Sequence, residues 1–520
     1  MCRAVLVLAL LLTTACGGGE EEPRTPSAEP PREIEVDASS TLYGFVGDTA
    51  GNPVEGVVVS DGFQCVATDA GGVYEMKRNA AAEYVYYSVP AEFKIRTGHD
   101  GYPDFYVRLD TSQQKIRQDF TLERLAGVER NFRLICIGDP QINEASHAVR
   151  FKEEAGREIR EYAASAGVPC YGITLGDHVN NKWTLFTNMV VALQPEQTGV
   201  PVFATIGNHD HEFPTADEKA ARAKYESYFG PVDYSFNRGD VHVVSMDNVI
   251  HSCKASADYE GGFTAAQYAW LKQDLSFVPK DKMVILCVHI PFRGGWGTNS
   301  AHADADKYYD EVLDLLSQYE YAAIMSAHTH SNINYIHRKN GKEIFEHVTG
   351  TTCGAWWRST VCTEGTPIGF GLYRIDGNRM EEWAYRSVRH DEQFQIRLYR
   401  ASDTFVGGAK YRFKQTGADQ IVANIWNWDP SWTVNVYEND VLSGQMTRNS
   451  DIDAWTVAYH IGLLNNTDSY RKSSDHMFHY TLKNPAAAVR VEAIDRFGNK
   501  YEQTVFTDPA EHPGDFHADF

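Results

Sequence analysis

Five short clusters of potential metal ligands lie between residues 138 and 330. In chain order they are Gly138-Asp139-Pro140-Gln141, Gly176-Asp177-His178, Gly207-Asn208-His209-Asp210, His289 and His328-Thr329-His330. Each cluster follows an apolar run of the length expected for a buried β-strand. Carboxylate, imidazole and amide groups are the ligands that proteins offer to divalent metal ions. The spacing therefore predicts a metal site that is assembled from several separate strand ends.

The elements that must position these clusters alternate between strands and helices. We predict strands at 132–137, 171–175, 202–206, 284–288 and 322–326, helices at 145–164, 183–193, 216–229, 265–275 and 308–319, and a hairpin at 234–246. This alternation is typical of crossover units and a largely parallel, buried sheet. Ligands bind such sheets at the carboxyl ends of the strands, so the five clusters should converge in one crevice.

Regions rich in short β-strands flank this α/β region on both sides. Runs at 42–46, 57–60, 73–76 and 84–89, separated by turns rich in Asp, Asn and Gly, predict a small β-sandwich. Further runs at 396–399, 421–428, 433–437, 480–482 and 489–494 predict a second one. A chain of 520 residues is too long for one hydrophobic core. We therefore predict an α/β domain over 127–391 between two all-β sandwich domains, over 35–126 and 392–520.

The first residues have the pattern of an export signal. Arg3 precedes an apolar run from Ala4 to Leu12, and small residues lead to Cys16. This pattern predicts a signal peptide over 1–16, followed by a flexible tether over 17–34. Cys16 after small residues resembles a bacterial lipobox, which implies a lipid on Cys16 as the sole membrane attachment. The expected location is the outer membrane or cell surface of a bacterium, with export to the periplasm as the alternative.

The overall charge limits the classes of partner. The formal net charge is -22, which repels nucleic acid and anionic lipid, so neither is expected as a general partner. An anionic substrate would need local positive charge, and metal ions can supply it. Cys353 and Cys362 flank a loop, and a disulfide between them or two free thiols both remain open. The sequence does not indicate the oligomeric state.

The ordered series of clusters resembles the calcineurin-like metallophosphoesterase superfamily, whose blocks read D-x-H, G-D, G-N-H-D/E, H and G-H-x-H. The flanking regions resemble the carboxypeptidase-regulatory-like and C-terminal β-sandwich domains that accompany this domain in exported bacterial proteins. The resemblance implies a β-sandwich core flanked by helices, and hydrolysis of a phosphate monoester or diester outside the cytoplasm. Two positions depart from the blocks: Gln141 replaces the usual His, and Ala327 replaces Gly.

The resemblance also implies a binuclear centre of two divalent ions (Mn, Fe or Zn). One ion would be held by Asp139, Gln141, Asp177 and His330, and the other by Asp177, Asn208, His289 and His328. A water activated between the two ions would be the nucleophile. Gln141 offers an oxygen, which should weaken the first site or favour Mn or Fe over Zn.

The remaining candidate residues would serve the leaving group and the substrate. His209 is the candidate general acid, and Asp210 could orient its imidazole and keep it protonated. His178, Asn181, Trp356 and Trp357 are expected to contact the substrate, although the two tryptophans could equally belong to the core. The alternative function is a surface lipoprotein that binds glycan or protein around a catalytically silent scaffold. The complete set of candidate ligands speaks against that alternative.

Overall fold

The computed structural model describes residues 32–98, 100–293, 307–402, 419–466 and 472–505. The predicted signal peptide and Cys16 lie outside these described residues, as does most of the predicted tether. Within the described ranges, no helix is both long enough and apolar enough to cross a bilayer.

The N-terminal part of the chain forms two small sheets. Its strands are β1 (Leu42–Asp48), β2 (Val58–Ser60), β3 (Cys65–Ala67), β4 (Val73–Met76), β5 (Tyr84–Tyr87), β6 (Tyr106–Arg108), β7 (Ile116–Arg117) and β8 (Phe120–Leu122). One sheet has the order β4-β1-β7, with β8 also pairing with β1, and the other has the order β3-β2-β5-β6. Side chains of both sheets, such as Val46 and Val85, belong to one buried core.

The central part contains thirteen strands and seven α-helices among the described residues. The strands are β9 (Asn131–Ile137), β10 (Cys170–Leu175), β11 (Val202–Thr205), β12 (Tyr234–Arg238), β13 (Val241–Ser245), β14 (Val249–His251), β15 (Tyr259–Gly261), β16 (Met283–Cys287), β17 (Tyr321–Ser326), β18 (Ile333–Lys339), β19 (Lys342–Val348), β20 (Gly369–Asp376) and β21 (Arg379–Ser387). The helices are α1 (Ala145–Phe151), α2 (Arg157–Ser165), α3 (Phe186–Leu193), α4 (Pro195–Thr198), α5 (Glu218–Phe229), α6 (Ala265–Ser276) and α7 (Tyr309–Leu316).

These central strands form two mixed sheets rather than the one largely parallel sheet that the alternation predicted. Strands β9 to β11 pair in parallel in a sheet of order β11-β10-β9-β20-β21, and β13, β16, β17 and β19 pair in parallel in a sheet of order β12-β13-β16-β17-β19-β18. The hairpins β12-β13, β18-β19 and β20-β21 add antiparallel pairs, because two-residue connections can join only antiparallel strands. The β-sandwich core flanked by helices is confirmed.

The helix predicted over 145–164 is interrupted. A π-helical turn over Lys152–Gly156 separates α1 from α2, and a short 3₁₀ turn over Trp183–Leu185 precedes α3. Hydrophobic periodicity reports the buried face of a helix and does not resolve a single inserted residue, so the sequence could not reveal this turn.

The C-terminal part is a second pair of sheets. Its elements are β22 (Arg397–Arg400), β23 (Gln420–Asn424), β24 (Thr433–Glu438), β25 (Val441–Gln445), β26 (Thr447–Ile452), α8 (Ala454–Val457) with a π-helical turn over Ala458–Leu463, β27 (Ser473–Thr481), β28 (Val489–Ile494) and β29 (Lys500–Thr504). The sheet orders are β22-β23-β27-β26 and β25-β24-β28-β29. Their facing apolar side chains form a separate buried core that includes Val436 and Val491.

Candidate metal centre

The structure brings all seven predicted ligands together at one edge of the central sheets. Asp139 and Gln141 follow β9, Asp177 follows β10, Asn208 follows β11, His289 follows β16, and His328 and His330 follow β17. Each of these residues is between 0% and 9% exposed. The carboxyl ends of the parallel strands meet here, so the predicted convergence of the clusters is confirmed.

Asp177 lies at the middle of this group. Its Oδ1 is 3.3 Å from Nε2 of His289, and its Oδ2 accepts a hydrogen bond of 3.3 Å from the Gln141 amide. The backbone N–H of His209 donates to Oδ1 over 2.9 Å. Both carboxylate oxygens therefore face the centre, as the predicted shared ligand requires.

His289 contacts the other two ligands of its predicted set. Its Nε2 lies 3.0 Å from Oδ1 of Asn208 and 3.1 Å from Nδ1 of His328. On the other side, His330 Nε2 is 3.6 Å from Oδ1 of Asp139. Among the described residues, one group of Asp177, His289 and His328 has its ligand atoms all within 4.8 Å of one another.

The backbone is unusual at these ligands. Asp139, Gln141, Asp177, His328 and His330 all adopt positive φ, between 36° and 67°. Non-glycine residues seldom adopt this conformation, and it concentrates at functional sites where the surrounding structure enforces it. His328 and His330 are both left-handed, and both face the centre.

Two glycines permit the close approach of the ligand loops. A Cβ on Gly207 would lie 2.3 Å from the Asp177 nitrogen and from its Oδ1, and a Cβ on Gly176, whose φ is 92°, would lie 2.4 Å from Nδ1 of His289. Real Cβ atoms do not approach other atoms this closely. Glycine is therefore required at both positions for the loops to meet.

The chemistry of the donor set fits a cation. Oδ1 of Asp139 and Oε1 of Gln141 are buried, and neither accepts a hydrogen bond from the described residues. His289 Nδ1 donates to the carbonyl of Leu175 over 2.7 Å, which leaves Nε2 facing the oxygens of Asn208 and Asp177. Buried acceptor atoms without donors are costly, and a bound cation satisfies them together.

The charges of Asp177 and His289 each favour the ionised form of the other. Burial acts to lower the pKa of His289, but Asp177 and Asp139 raise it to about 9. Burial acts to raise the pKa of Asp177, but the neighbouring histidines hold it well below its usual range. The field that favours a proton on Nε2 of His289 equally favours a metal ion.

The structure corrects the predicted partner of His209. His209 is partly exposed, and its Nδ1 lies 2.9 Å from Oδ1 of Asn181, so Asn181 orients the imidazole. Asp210 is fully buried and turned away, with its Oδ2 3.0 Å from Nδ1 of His178. The prediction that Asp210 orients His209 is therefore wrong. The 3₁₀ turn over Asn208–Asp210 places these neighbouring side chains on different sides of the loop.

The prediction that His178 contacts the substrate is also wrong. It is 0% exposed, its Nε2 is 2.7 Å from the Thr174 hydroxyl, and its ring stacks on Phe229. It packs beneath the surface of the loop after β10 and does not line the cavity over the ligands.

A small cavity of about 130 Å³ opens over the metal ligands. Its lining includes Gln141, Asp177, His209, Tyr259, His328, Thr329, His330, Trp356 and Lys472. Trp356 packs near His330, with ring centroids 4.9 Å apart. Trp357 is buried instead, where its Nε1 donates to the carbonyl of Pro140 and its ring stacks on His147. The structure thus places one predicted tryptophan at the cavity and the other in the core.

Two cavity residues were not found from the sequence. The Tyr259 hydroxyl lies 3.3 Å from Nε2 of His328, and Lys472 comes from the C-terminal part of the chain. Neither residue belongs to a motif, and both are far from the ligand clusters in sequence. Cys353 and Cys362 are both buried free thiols, so the alternative of a disulfide between them is wrong.

Comparisons with known proteins agree with this architecture. Sequence models described as the N terminal of calcineurin-like phosphoesterase, calcineurin-like phosphoesterase, and the C terminal of calcineurin-like phosphoesterase match residues 40–125, 132–332 and 346–501. Purple acid phosphatase 23 of Arabidopsis thaliana is 26% identical over 181 residues, which cover 32% of this chain and 36% of the relative. Purple acid phosphatase 18 of the same plant is 25% identical over 182 residues, which cover 33% and 38%. The chain thus spans little more than a third of these curated relatives.

The solved structures to which this chain is similar include two nucleotidases. A 5'-nucleotidase from Candida albicans has a TM-score of 0.31 at 12% identity, covering 51% of this chain and 52% of the other. A 5'-nucleotidase precursor from Thermus thermophilus has a TM-score of 0.30 at 8% identity, covering 72% of this chain and 89% of the other.

Proposed function

The chain belongs to the calcineurin-like phosphoesterase family, and on that basis we propose that it hydrolyses phosphate esters with two divalent cations. The observation that carries the proposal is the convergence of seven buried ligands around oxygens that accept no hydrogen bond from the described residues.

The ligands divide into two sets that share one carboxylate. Asp139, Gln141, Asp177 and His330 would hold one cation, and Asp177, Asn208, His289 and His328 the other. When bound, such a pair supplies an activated water near neutral pH and neutralises charge on the phosphoryl oxygens.

Contacts within the protein hold two of these ligands, His289 and Asp139, in place. Leu175 accepts a hydrogen bond from His289, and the backbone N–H of His328 donates to Oδ2 of Asp139 over 3.1 Å. Ligands fixed in this way keep their orientation during the reaction, which lowers the cost of reaching the transition state.

In this proposal His209 protonates the leaving oxygen. Its Nδ1–H donates to Oδ1 of Asn181, so Nε2 is the nitrogen that gains and loses a proton. Nε2 faces the centre at 4.0 Å from Oδ2 of Asp177. General acid help from this position assists poor leaving groups most.

The proposal also places the enzyme outside the cytoplasm of a bacterium, anchored through Cys16. It is supported by the apolar run and the small residues before this cysteine. Fractionation of cells that produce the full chain should find it in the membrane fraction, and Cys16→Ser should release it. Recovery of both forms in the cytoplasm would refute the proposed location.

The proposed activity is tested by loading the purified protein with Mn, Fe, Zn or Mg in turn. Metal content and hydrolysis of a nitrophenyl monoester, a nitrophenyl diester and an alkyl monoester would be measured for each ion. Asp177→Asn should lose metal and at least about 100-fold of the activity, because it removes a ligand shared by both sets. Asp274→Asn removes an equally buried carboxylate that lies outside the ligand set and should keep both. Absence of bound metal and of hydrolysis in the wild type would support the silent scaffold instead.

A further inference from the structure

Lys472 brings the C-terminal sheets into the candidate active site. It directly precedes β27, yet it lines the same cavity as Gln141, Asp177 and His330. Its Nζ lies 5.7 Å from the centroid of the Trp356 ring. Among the described residues around this cavity, Lys472 is the one lysine or arginine side chain.

Buried polar contacts beside the site fix the C-terminal part of the chain against the central sheets. The side-chain amides of Asn332 and Asn334 donate to the carbonyls of Trp426 and Asn427, each over 2.8 Å. These two asparagines follow His330 by two and four residues, and both are buried. Trp426 and Asn427 follow β23, which pairs with β27, so Lys472 directly before β27 is held beside the loop that carries the last metal ligands.

Lys472 is a partly buried cation at the edge of the cavity. Burial lowers its pKa to about 8, while the charge of Glu364 acts to raise it. A partly buried ammonium group loses hydration, and an anion that binds beside it offsets that loss. The opening of the cavity is where the phosphoryl group of a substrate would lie.

We propose that Lys472 binds the phosphoryl group of the substrate and makes the site selective for phosphomonoesters over phosphodiesters. The inference rests on the proposed function. A monoester loses its second proton near a pKa of about 6 and so carries close to two negative charges at pH 7.5, whereas a diester carries one. A fixed cation attracts the doubly charged group more strongly, so its removal should cost the monoester more.

The test compares two substrates with the same leaving group, 4-nitrophenyl phosphate and bis(4-nitrophenyl) phosphate. Lys472→Met should lower kcat/KM for the monoester about 10- to 100-fold, the range for one lost charge-assisted hydrogen bond, and lower it for the diester several-fold less. Lys472→Arg should restore most of the preference, and metal content should stay unchanged in both variants. Lys500→Met, at an exposed position of the same sheets, is the matched control and should behave as the wild type.

A calorimetric titration of the metal-loaded proteins with inorganic phosphate separates this inference from the proposed function. Weaker phosphate binding by Lys472→Met would support the role of Lys472 even if the wild type hydrolysed neither ester, an outcome that would defeat the proposed function alone. Unchanged phosphate affinity, equal losses on both esters, or loss of metal from Lys472→Met would each overturn the inference.

Discussion

Asp210 ties together the two loops that carry the central ligands. Its Oδ1 accepts hydrogen bonds from the backbone N–H groups of His178 and Val179, at 2.8 and 3.2 Å. Its Oδ2 accepts from the N–H of Gly207 and from Nδ1 of His178, both at 3.0 Å. One buried carboxylate thus holds the loop after β10 against the loop after β11. We predict that Asp210→Asn destabilises the fold and loosens the metal centre.

The size of the effect follows from these four bonds. An asparagine has one accepting oxygen, so its NH₂ group must face either the Gly207 N–H together with Nδ1 of His178, or the two N–H groups of His178 and Val179. In the first orientation His178 can move its proton to Nε2 and accept from the NH₂ group, but the buried Gly207 N–H is left without a partner, which costs about 1–3 kcal/mol. The remaining bonds change from a charged to a neutral acceptor, which adds roughly 1 kcal/mol. We therefore expect a loss of about 2–4 kcal/mol, a large part of the roughly 5–15 kcal/mol that stabilises most domains.

The assay is urea unfolding of the metal-loaded protein, with metal content measured after dialysis. The matched control is Asp274→Asn, since Asp274 is also buried and binds a histidine, His242, over 2.7 Å. Both variants should unfold at lower urea, but only Asp210→Asn should also release metal more readily. The prediction is contradicted if Asp210→Asn keeps the wild-type midpoint of urea unfolding and the wild-type metal content but loses activity on alkyl esters. That result would mean that Asp210 acts through His209 after all.

Three further predictions concern the metal, the general acid and the response to pH. Gln141→His should retain the more weakly held ion longer during dialysis against a mild chelator, because imidazole binds first-row metals more tightly than an amide oxygen; loss of both ions together, unaffected by the substitution, would contradict this. His209→Ala should keep its metals but slow an alkyl phosphate by about 10²- to 10⁴-fold, with a much smaller effect on a nitrophenyl ester; equal losses would show that His209 positions the phosphate instead. Burial lowers the pKa of His347 to about 3. Below about pH 6.5, the usual pKa of a histidine, the unfolded chain therefore binds a proton at this residue and the folded chain does not. The free energy of unfolding consequently falls as the pH falls. His347→Gln should therefore lose less stability than the wild type between pH 7.5 and pH 5, and parallel losses would exclude this role.

The convergence of the ligands could be predicted because it depends on strand order and strand direction. An apolar run followed by Gly and a polar ligand marks the carboxyl end of a buried strand, and parallel strands bring such ends to one edge. The antiparallel hairpin β12-β13 was predicted, but the position of β20 and β21 was not, since they enter the sheet beside β9 from far along the chain. Their pairing depends on tertiary contacts that local periodicity does not encode.

The direction of individual side chains could not be predicted. Trp356 and Trp357 are adjacent and both have positive φ, yet one lines the cavity and the other donates to the carbonyl of Pro140. His209 and Asp210 diverge in the same way across a 3₁₀ turn. Positive φ at residues other than glycine is imposed by the surrounding structure, so no local pattern in the sequence indicates it.

The contacts of the ligands explain why such strain can persist at the site. Asp177 accepts from the His209 backbone, Asp139 accepts from the His328 backbone, and His289 donates to Leu175. In each case one atom of the ligand is held by the protein while another faces the centre. The left-handed backbone at Asp139 and Asp177 is what allows a residue that leaves a strand to turn back and make both contacts. The fold thus sets the positions of these ligands through left-handed backbone and hydrogen bonds together.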